Sequence, residues 1–369
     1  MTDSRPKLSG EFQGERLRLA IEFAGIKINE LAETLSVSRQ YINVLENGRE
    51  RPSPALVQSF GEILGFDPIF FYEPIYSKLP DQAFHFRAQK TVLNRDRQQA
   101  KAYGKLFSFL SAYLEANLTL QPVNVPRASV KTMDEIELIA QRCRKEWGLG
   151  ENAPIKSMAR VIESCAGGFV TQFGGRTHKI DAFSIDAERG VVIRSSLKRS
   201  SSRARMDFGH ELGHLVLHKG RETGDEETEK QAFRFAGAFL MPELAFQRYF
   251  PKTRRWNWQV MVNLKRVWGM SLTGMVYRAR DLFLIDEQQA KNGFIYIRRT
   301  WGDEEPCEPP EEEPVFLSIA LDALEKGYGM TPRDVARNLG MKPPTFEKVT
   351  GIDLGPDNSI SFPLPQVRI

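Results

Sequence analysis

The stretch MDFGHELGHLVLHK, Met206 to Lys219, decides how the rest of the chain is read. Its centre is His210-Glu211-Leu212-Gly213-His214. On a helix, residues four apart project from one face a single turn apart, so both imidazoles reach one divalent ion such as Zn²⁺. Glu211 stands one position on from His210, where its carboxylate takes a proton from water beside that ion without being a ligand. Phe208, Leu212, Leu215 and Leu217 supply apolar surroundings, and Gly213 lets a neighbouring element come close. Three of the chain's five histidines fall between Phe208 and His218. That clustering favours a metal site over a buried helix carrying two hydrogen-bonded histidines. His218 lies one further turn along the same side, too far along the axis to share the ion, and is expected to support a ligand from behind or to face substrate.

A catalytic zinc needs a third protein ligand and one open position. The next helical stretch, GDEETEKQAFRFAGAFLMPE, has a buried stripe of Ala232, Phe235, Ala236, Phe239 and Leu240. Extending that stripe backwards by three reaches Glu229, the expected ligand. Glu226, a turn earlier, is the alternative, and acidic capping of the helix N-terminus is the competing role for both. Upstream, GGFVTQF (Gly167–Phe173) and RGVVIR (Arg189–Arg194) read as strands, short, β-branched and bounded by Gly or charge. An edge strand there would hold an extended peptide by backbone pairing. His178, Tyr249 and Arg205 are all open as oxyanion donors, since spacing favours none of them.

These pieces, from DAFSI at Asp181 through FGHELGHLVLH to EKQAFRFAGAFLMPE, resemble the ImmA/IrrE family of metallopeptidases between Ile155 and Asp286. The resemblance implies His210, His214 and Glu229 as zinc ligands and Glu211 as general base. The family often has Asn or Asp four residues after that Glu, where it steadies a ligand; this chain has Phe233.

From Phe12 to Tyr72 short helical patterns follow one another without a strand. INELAETL, SVS and RQYINVLENG have helix-turn-helix form: Leu31, Ala32 and Leu35 make an apolar face, Val37 sits in the turn, and Ile42 and Leu45 dock the second helix. Ser38 is the expected N-cap and Asn47-Gly48 the stop. The stretch from Arg16 through ENGRERPSP to Phe71 resembles the XRE-type helix-turn-helix family, with Ser36 at a turn position where the family commonly has Gly. The resemblance implies a five-helix DNA-binding domain with Arg39, Gln40 and Asn43 facing the major groove, because the start of the second helix meets base edges. Near the other end, TPRDVARNLGMKPPTFEKVTG (Thr331–Gly351) can be laid over this motif, with Val335, Ala336, Leu339, Met341 and Phe346 at matching places. Pro343 and Pro344 fall where base-reading residues would be, so a structural helix pair is expected, and true repetition is left open.

The chain has 369 residues, 41% apolar and 27% charged, which excludes wholesale disorder and leaves length for two or three domains. No apolar run approaches the ~18 residues of a membrane span, and the N-terminus lacks a secretory pattern, so a cytoplasmic protein without membrane contact is expected. Its three cysteines, Cys143, Cys165 and Cys307, are too few and scattered for a disulfide framework or a cysteine metal cluster. Net charge is +4 and unevenly spread. Between Arg248 and Arg280 all charges are basic, interleaved with Tyr249, Phe250, Trp256, Trp258, Trp268 and Tyr277. That tract reads either as a single-stranded nucleic-acid surface or, preferably, as an amphipathic helix burying Val260, Met261, Leu264, Val267 and Trp268. DEEPCEPPEEEP (Asp303–Pro314) reads as a linker or exposed loop. Arg95 to Leu118 reads as a long helix, either connector or homodimer seam.

The expected architecture is α+β and mostly helical: an XRE-type helix-turn-helix domain (1–76), a helical connector (77–130), a small HExxH zinc peptidase domain with a short sheet (131–290) and a helical C-terminal domain (291–369). The expected function is a DNA-binding zinc endopeptidase that cleaves a repressor, a toxin-system partner or itself to control gene expression. The alternative is a non-proteolytic regulator or antitoxin-like binder with a structural or sensory zinc.

Overall fold

The computed structural model describes residues 10–74, 79–88, 93–173, 180–195, 200–253 and 255–355. His178, residues 196–199 of the basic stretch before Arg205, and parts of the loop between Lys78 and Arg95 lie outside the described residues. Helices α1 (Gly14–Ala24), α2 (Ile28–Thr34), α3 (Arg39–Glu46) and α4 (Pro54–Leu64), with a 3-10 turn at Pro68–Phe71, form the five-helix head. Ser38 caps α3 as expected, its hydroxyl accepting from Tyr41 N at 3.0 Å. Leu31, Ala32, Ile42 and Leu45 are buried at the α2–α3 junction. Ser36 closes the turn at a φ of 53°, a left-handed conformation that crowds any side chain.

Strand β1 (Phe84–Ala88) and helix α5 (Asn94–Asn117) follow. The connector segment therefore contributes a strand to the sheet, which the sequence reading did not anticipate. Ala100, Tyr103, Leu106, Phe107, Leu110 and Leu114 of α5 are all buried within the chain, so this face is no exposed dimer seam. After α6 (Met133–Glu146) and the short α7 (Met158–Arg160) come β2 (Phe169–Phe173), β3 (Ile180–Ile185) and β4 (Val191–Ser195). The sheet order is β1-β3-β4-β2, with β2 parallel to β4 and the other pairs antiparallel. Side chains alternate across it. Phe84, Phe183, Ile185, Val191 and Ile193 join the core shared with the head and α5. The opposite row, set by register, runs His85, Ser184, Val192 and Val170.

Against that second row pack α8 (Ser201–Leu217) and α9 (Glu226–Leu240), followed by α10 (Glu243–Tyr249), α11 (Trp258–Trp268), α12 (Leu272–Asp281) and α13 (Glu287–Thr300). In α11 Met261, Leu264 and Trp268 are buried as the amphipathic reading expects, while Val267 is exposed. Lys265 is buried instead, between Glu305 and Glu308. These glutamates belong to the acidic Pro-rich segment, a loop between helices as composition suggested, but one tied down along its length. Three of its carboxylates cap helices. Glu305 accepts from Leu272 N of α12 at 2.7 Å, Glu308 from Ser202 N of α8 at 2.8 Å, and Glu312 from Ala159 N of α7 at 2.8 Å. Buried Arg205 completes the strap by pairing with Glu312. Helices α14 (Phe316–Tyr328), α15 (Pro332–Asn338) and α16 (Pro343–Thr350) then return to the core of the head.

Ser36→Gly should relieve the left-handed turn and stabilise the chain by about 0.5–1 kcal/mol, read as a higher denaturation midpoint with unchanged slope.

Candidate metal centre

The centre is built on the close approach of α8 and α9. A Cβ on Gly213 would lie 3.2 Å from the Ala232 carbonyl oxygen and 3.1 Å from the Phe235 ring, and one on Gly209 would lie 3.1 Å from Ala236 Cβ. The two helices therefore run antiparallel almost backbone to backbone. This brings the first turn of α9 beside the C-terminal half of α8, and Glu229 faces the histidines there. His210 Nε2 lies 3.0 Å from His214 Nε2, and Glu229 Oε2 and Oε1 lie 3.2 and 3.4 Å from His210 and His214 respectively. Both histidines are fully buried. Glu226 instead turns to solvent, paired with Lys230 at 2.6 Å.

The neighbouring hydrogen bonds assign the protons. Glu227 only accepts, so Gln231 gives its Nε2 to Glu227 Oε1 (3.0 Å) and presents its Oε1 to His218 Nε2 (2.8 Å). His218 then carries its proton on Nε2 and accepts at Nδ1 from His214 Nδ1, 2.9 Å away. His214 is left with a bare lone pair on Nε2, pointing at His210 and Glu229. Burial, outweighing the neighbouring Glu229 carboxylate, pushes His214 down to about 3, and burial also lowers His218, so both imidazoles are neutral at ordinary pH. Burial pushes Glu229 up, but the adjacent His210 and His214 side chains outweigh it and hold the carboxyl well below its usual range.

A half-buried carboxylate and two buried imidazoles converging at this range form a donor set suited to a divalent cation. Tetrahedral zinc with bonds of roughly 2.0–2.1 Å spaces its ligands about 3.3 Å apart, which the donor set matches. These three residues are the group among the described residues able to hold a metal ion.

Glu211 is fully buried beside them, and its Oε2 accepts from Ser184 Oγ of β3 at 2.6 Å. Phe233, in place of a polar residue, packs its ring edge-on against His210, with centroids 4.4 Å apart. A fifth residue escaped the sequence reading. His85 of β1 stacks on His214 at 5.2 Å with rings 10° from parallel, and its Nδ1 is 2.9 Å from Thr223 Oγ1. The signal was present in FHF and FSI, where one polar residue between two apolar ones marks the strand face turned to the helix. Arg205 is committed to Glu312 and to the carbonyls of Ile155 and Lys156, which removes it as an oxyanion donor, and Tyr249 is exposed under Arg248 at the end of α10. In the head, Arg39 and Gln40 are exposed and Asn43 half-buried along the first turns of α3.

Comparison with known proteins matches two segments of the chain. Residues 14–69 match a helix-turn-helix domain, and residues 169–280 match the IrrE N-terminal-like domain of peptidase family M78. The chain joins a helix-turn-helix domain to an IrrE N-terminal-like domain. The first is also 35% identical over 51 residues to the uncharacterized HTH-type transcriptional regulator YqaF of Bacillus subtilis, an alignment covering 14% of this chain and 67% of that protein. ComR from Streptococcus suis aligns over 88% of this chain and 85% of its own at 12% identity, with a TM-score of 0.15. The matched IrrE N-terminal-like segment holds β2 to β4, α8 and α9, and so includes Glu211 and the three donors. His85 lies outside it. Among the described residues no helix is long and apolar enough to cross a membrane.

Gly213→Val should force α8 and α9 apart and destabilise the chain by about 1–3 kcal/mol, read by denaturant unfolding monitored in the far ultraviolet.

Proposed function

We propose that the chain is a DNA-binding zinc endopeptidase that cleaves a protein involved in gene control. The observation that carries this reading is the convergence of donor atoms of His210, His214 and Glu229 within 4.8 Å of one another, beside a buried Glu211 that lies outside this group. Three protein donors with a neighbouring acid favour catalysis over a structural site, which closes its shell with four ligands. Bound there, zinc supplies Lewis acidity to a scissile carbonyl and lowers the pKa of neighbouring water.

The residues do the rest. Ser184 fixes the rotation of the Glu211 carboxylate, which takes a proton from the attacking water and passes it to the leaving amine. His218, held by Gln231, keeps the His214 lone pair aimed inward. Strand β1 pairs only with β3 among the described residues, so its outer edge is the natural rail for an extended substrate next to His85. The substrate is a repressor, a toxin-system partner or another segment of the chain itself, but not Lys78 to Arg95 as a free loop, since that stretch contains β1.

DNA is the expected partner of α3 through Arg39, Gln40 and Asn43. Exposed Arg248, Lys252, Arg255 and Arg266 near the stacked Trp256, Trp258 and Tyr296 rings support a docking surface for single-stranded nucleic acid. Its reach is limited because Lys265 and Arg278 of the same tract are buried in ion pairs with glutamates.

Incubating the protein with zinc and candidate repressors and weighing the fragments tests the activity. Glu211→Gln should retain stoichiometric zinc and lose cleavage; proteolysis at the original rate would remove Glu211 from the mechanism. Gln231→Leu and His218→Phe should each weaken zinc affinity by about 10–100-fold in chelator competition, an effect visible without any substrate.

A further inference from the structure

Helices α14, α15 and α16 repeat α1, α2 and α3 at one constant offset of 304 residues. Left-handed helix-ending glycines correspond (Gly25 with Gly329), as do left-handed turn residues (Ser36, φ 53°, with Gly340, φ 65°). Helices α2 and α15 both have seven residues, and α3 and α16 both have eight. The turn closes with the same backbone bonds: Leu35 N to Leu31 O, Ser36 N to Glu33 O and Val37 N to Ala32 O in the first unit, and Leu339 N to Val335 O, Gly340 N to Arg337 O and Met341 N to Ala336 O in the second. Buried positions match too, Leu17 with Leu321, Leu31 with Val335, Ala32 with Ala336, Ile42 with Phe346 and Leu45 with Val349. Agreement of spacing, turn bonds and burial without a single inserted residue goes beyond two helix pairs sharing a common shape.

The second unit has lost the chemistry of base reading. The counterparts of Arg39, Gln40 and Asn43 are Pro343, Pro344 and Glu347. Two of these have no polar side chain, and the third is an acid already accepting from Leu354 N at 3.0 Å. Its turn and the start of α16 instead grip the first unit just past α4. Thr345 Oγ1 donates to Gly65 O at 2.6 Å, Lys342 N to the same oxygen at 3.2 Å, and Asp67 N to Gly340 O at 2.9 Å. Lys342 Nζ reaches Glu62 at 2.9 Å. The fit needs two glycines. A Cβ on Gly65 would lie 2.5 Å from Thr345 Oγ1, and one on Gly340 would lie 2.8 Å from Phe70 Cβ. The far end of the unit holds the sheet, with Thr171 Oγ1 of β2 donating to Thr350 O at 3.2 Å and Phe169 stacked on Phe316 at 4.8 Å.

We infer that residues 316–351 are a second helix-turn-helix, a repeat of residues 12–47, whose surface around the turn binds the first unit rather than DNA and clamps it to the peptidase-like sheet. This stands apart from the proteolytic reading and survives its failure. The test uses the full chain and amide hydrogen exchange read by mass spectrometry. Thr345→Arg and Lys342→Glu should each speed exchange of residues 54–71 at least tenfold, while residues 206–240 stay protected and so report an intact fold. Adding Glu62→Lys to Lys342→Glu should restore the protection. Unchanged exchange at 54–71 in both single variants overturns the clamp. If Thr345→Arg fails to fold, the charge-swap pair decides alone, and absence of rescue counts against the inference. In retention on random-sequence duplex DNA at low salt, Lys348→Ala, on the exposed side of α16, should behave as the parent chain. A loss there as large as that from Arg39→Ala would mean the second unit reads DNA, contrary to the inference.

Discussion

The peptidase-like half depends on how closely α8 and α9 approach each other. Gly209 and Gly213 remove the side chains that would keep the helices apart, and Ala232 and Ala236 do the same on the facing surface. Only at that separation does a glutamate in the first turn of α9 reach the two imidazoles of α8. A half-buried carboxylate set against the His214 lone pair is costly unless something positive comes between them. The packing therefore creates the demand for a cation as well as the place for it. Much of the surrounding polar structure serves the same arrangement: the Glu227–Gln231–His218 chain fixes one imidazole, the Phe233 ring braces the other, and Ser184 aligns the neighbouring acid.

Much of this was legible in the chain itself. The i, i+4 histidines and the stripe of α9 identified Glu229 over Glu226 because helical periodicity is local and the buried side of each helix is written in its apolar residues. Ser38 announced the start of α3 for the same reason. What was not legible came from contacts distant in sequence. His85 sits 129 positions before His214, a separation no local pattern spans, and its role became visible only once β1 paired with β3 in register with Ser184. Gln231 looked like one more polar residue on a helix. The anchoring of the acidic stretch stayed hidden because composition reports charge but not whether a cation or a helix terminus waits to receive it.

That acidic stretch also changes what the basic tract means. Lys265 and Arg205 read as available positive charge along the sequence, yet in the fold they face glutamates from residues 305–312 and are withdrawn from solvent. Arg278 is likewise held by Glu137 of α6, which also pairs with Arg234. Two of the tract's charges, Lys265 and Arg278, together with Arg205 and Arg234, thus join α6, α9, α11, α12 and the strap into one body. The repeat at the C-terminal end works on a larger scale: an apolar arrangement used once to present α3 is used again to hold that presentation against the sheet.

The position of β1 bears on how the peptidase-like half could be isolated. A recombinant fragment cut at the edges of the matched family segment would expose the flank of β3 and strip the flat aromatic cover from His214, although it would keep every prospective ligand. Inactivity in such a truncation would therefore say little about the parent protein. A faithful excision has to start upstream of Asp81, and it then carries α5, whose buried face was shaped to lie against the head.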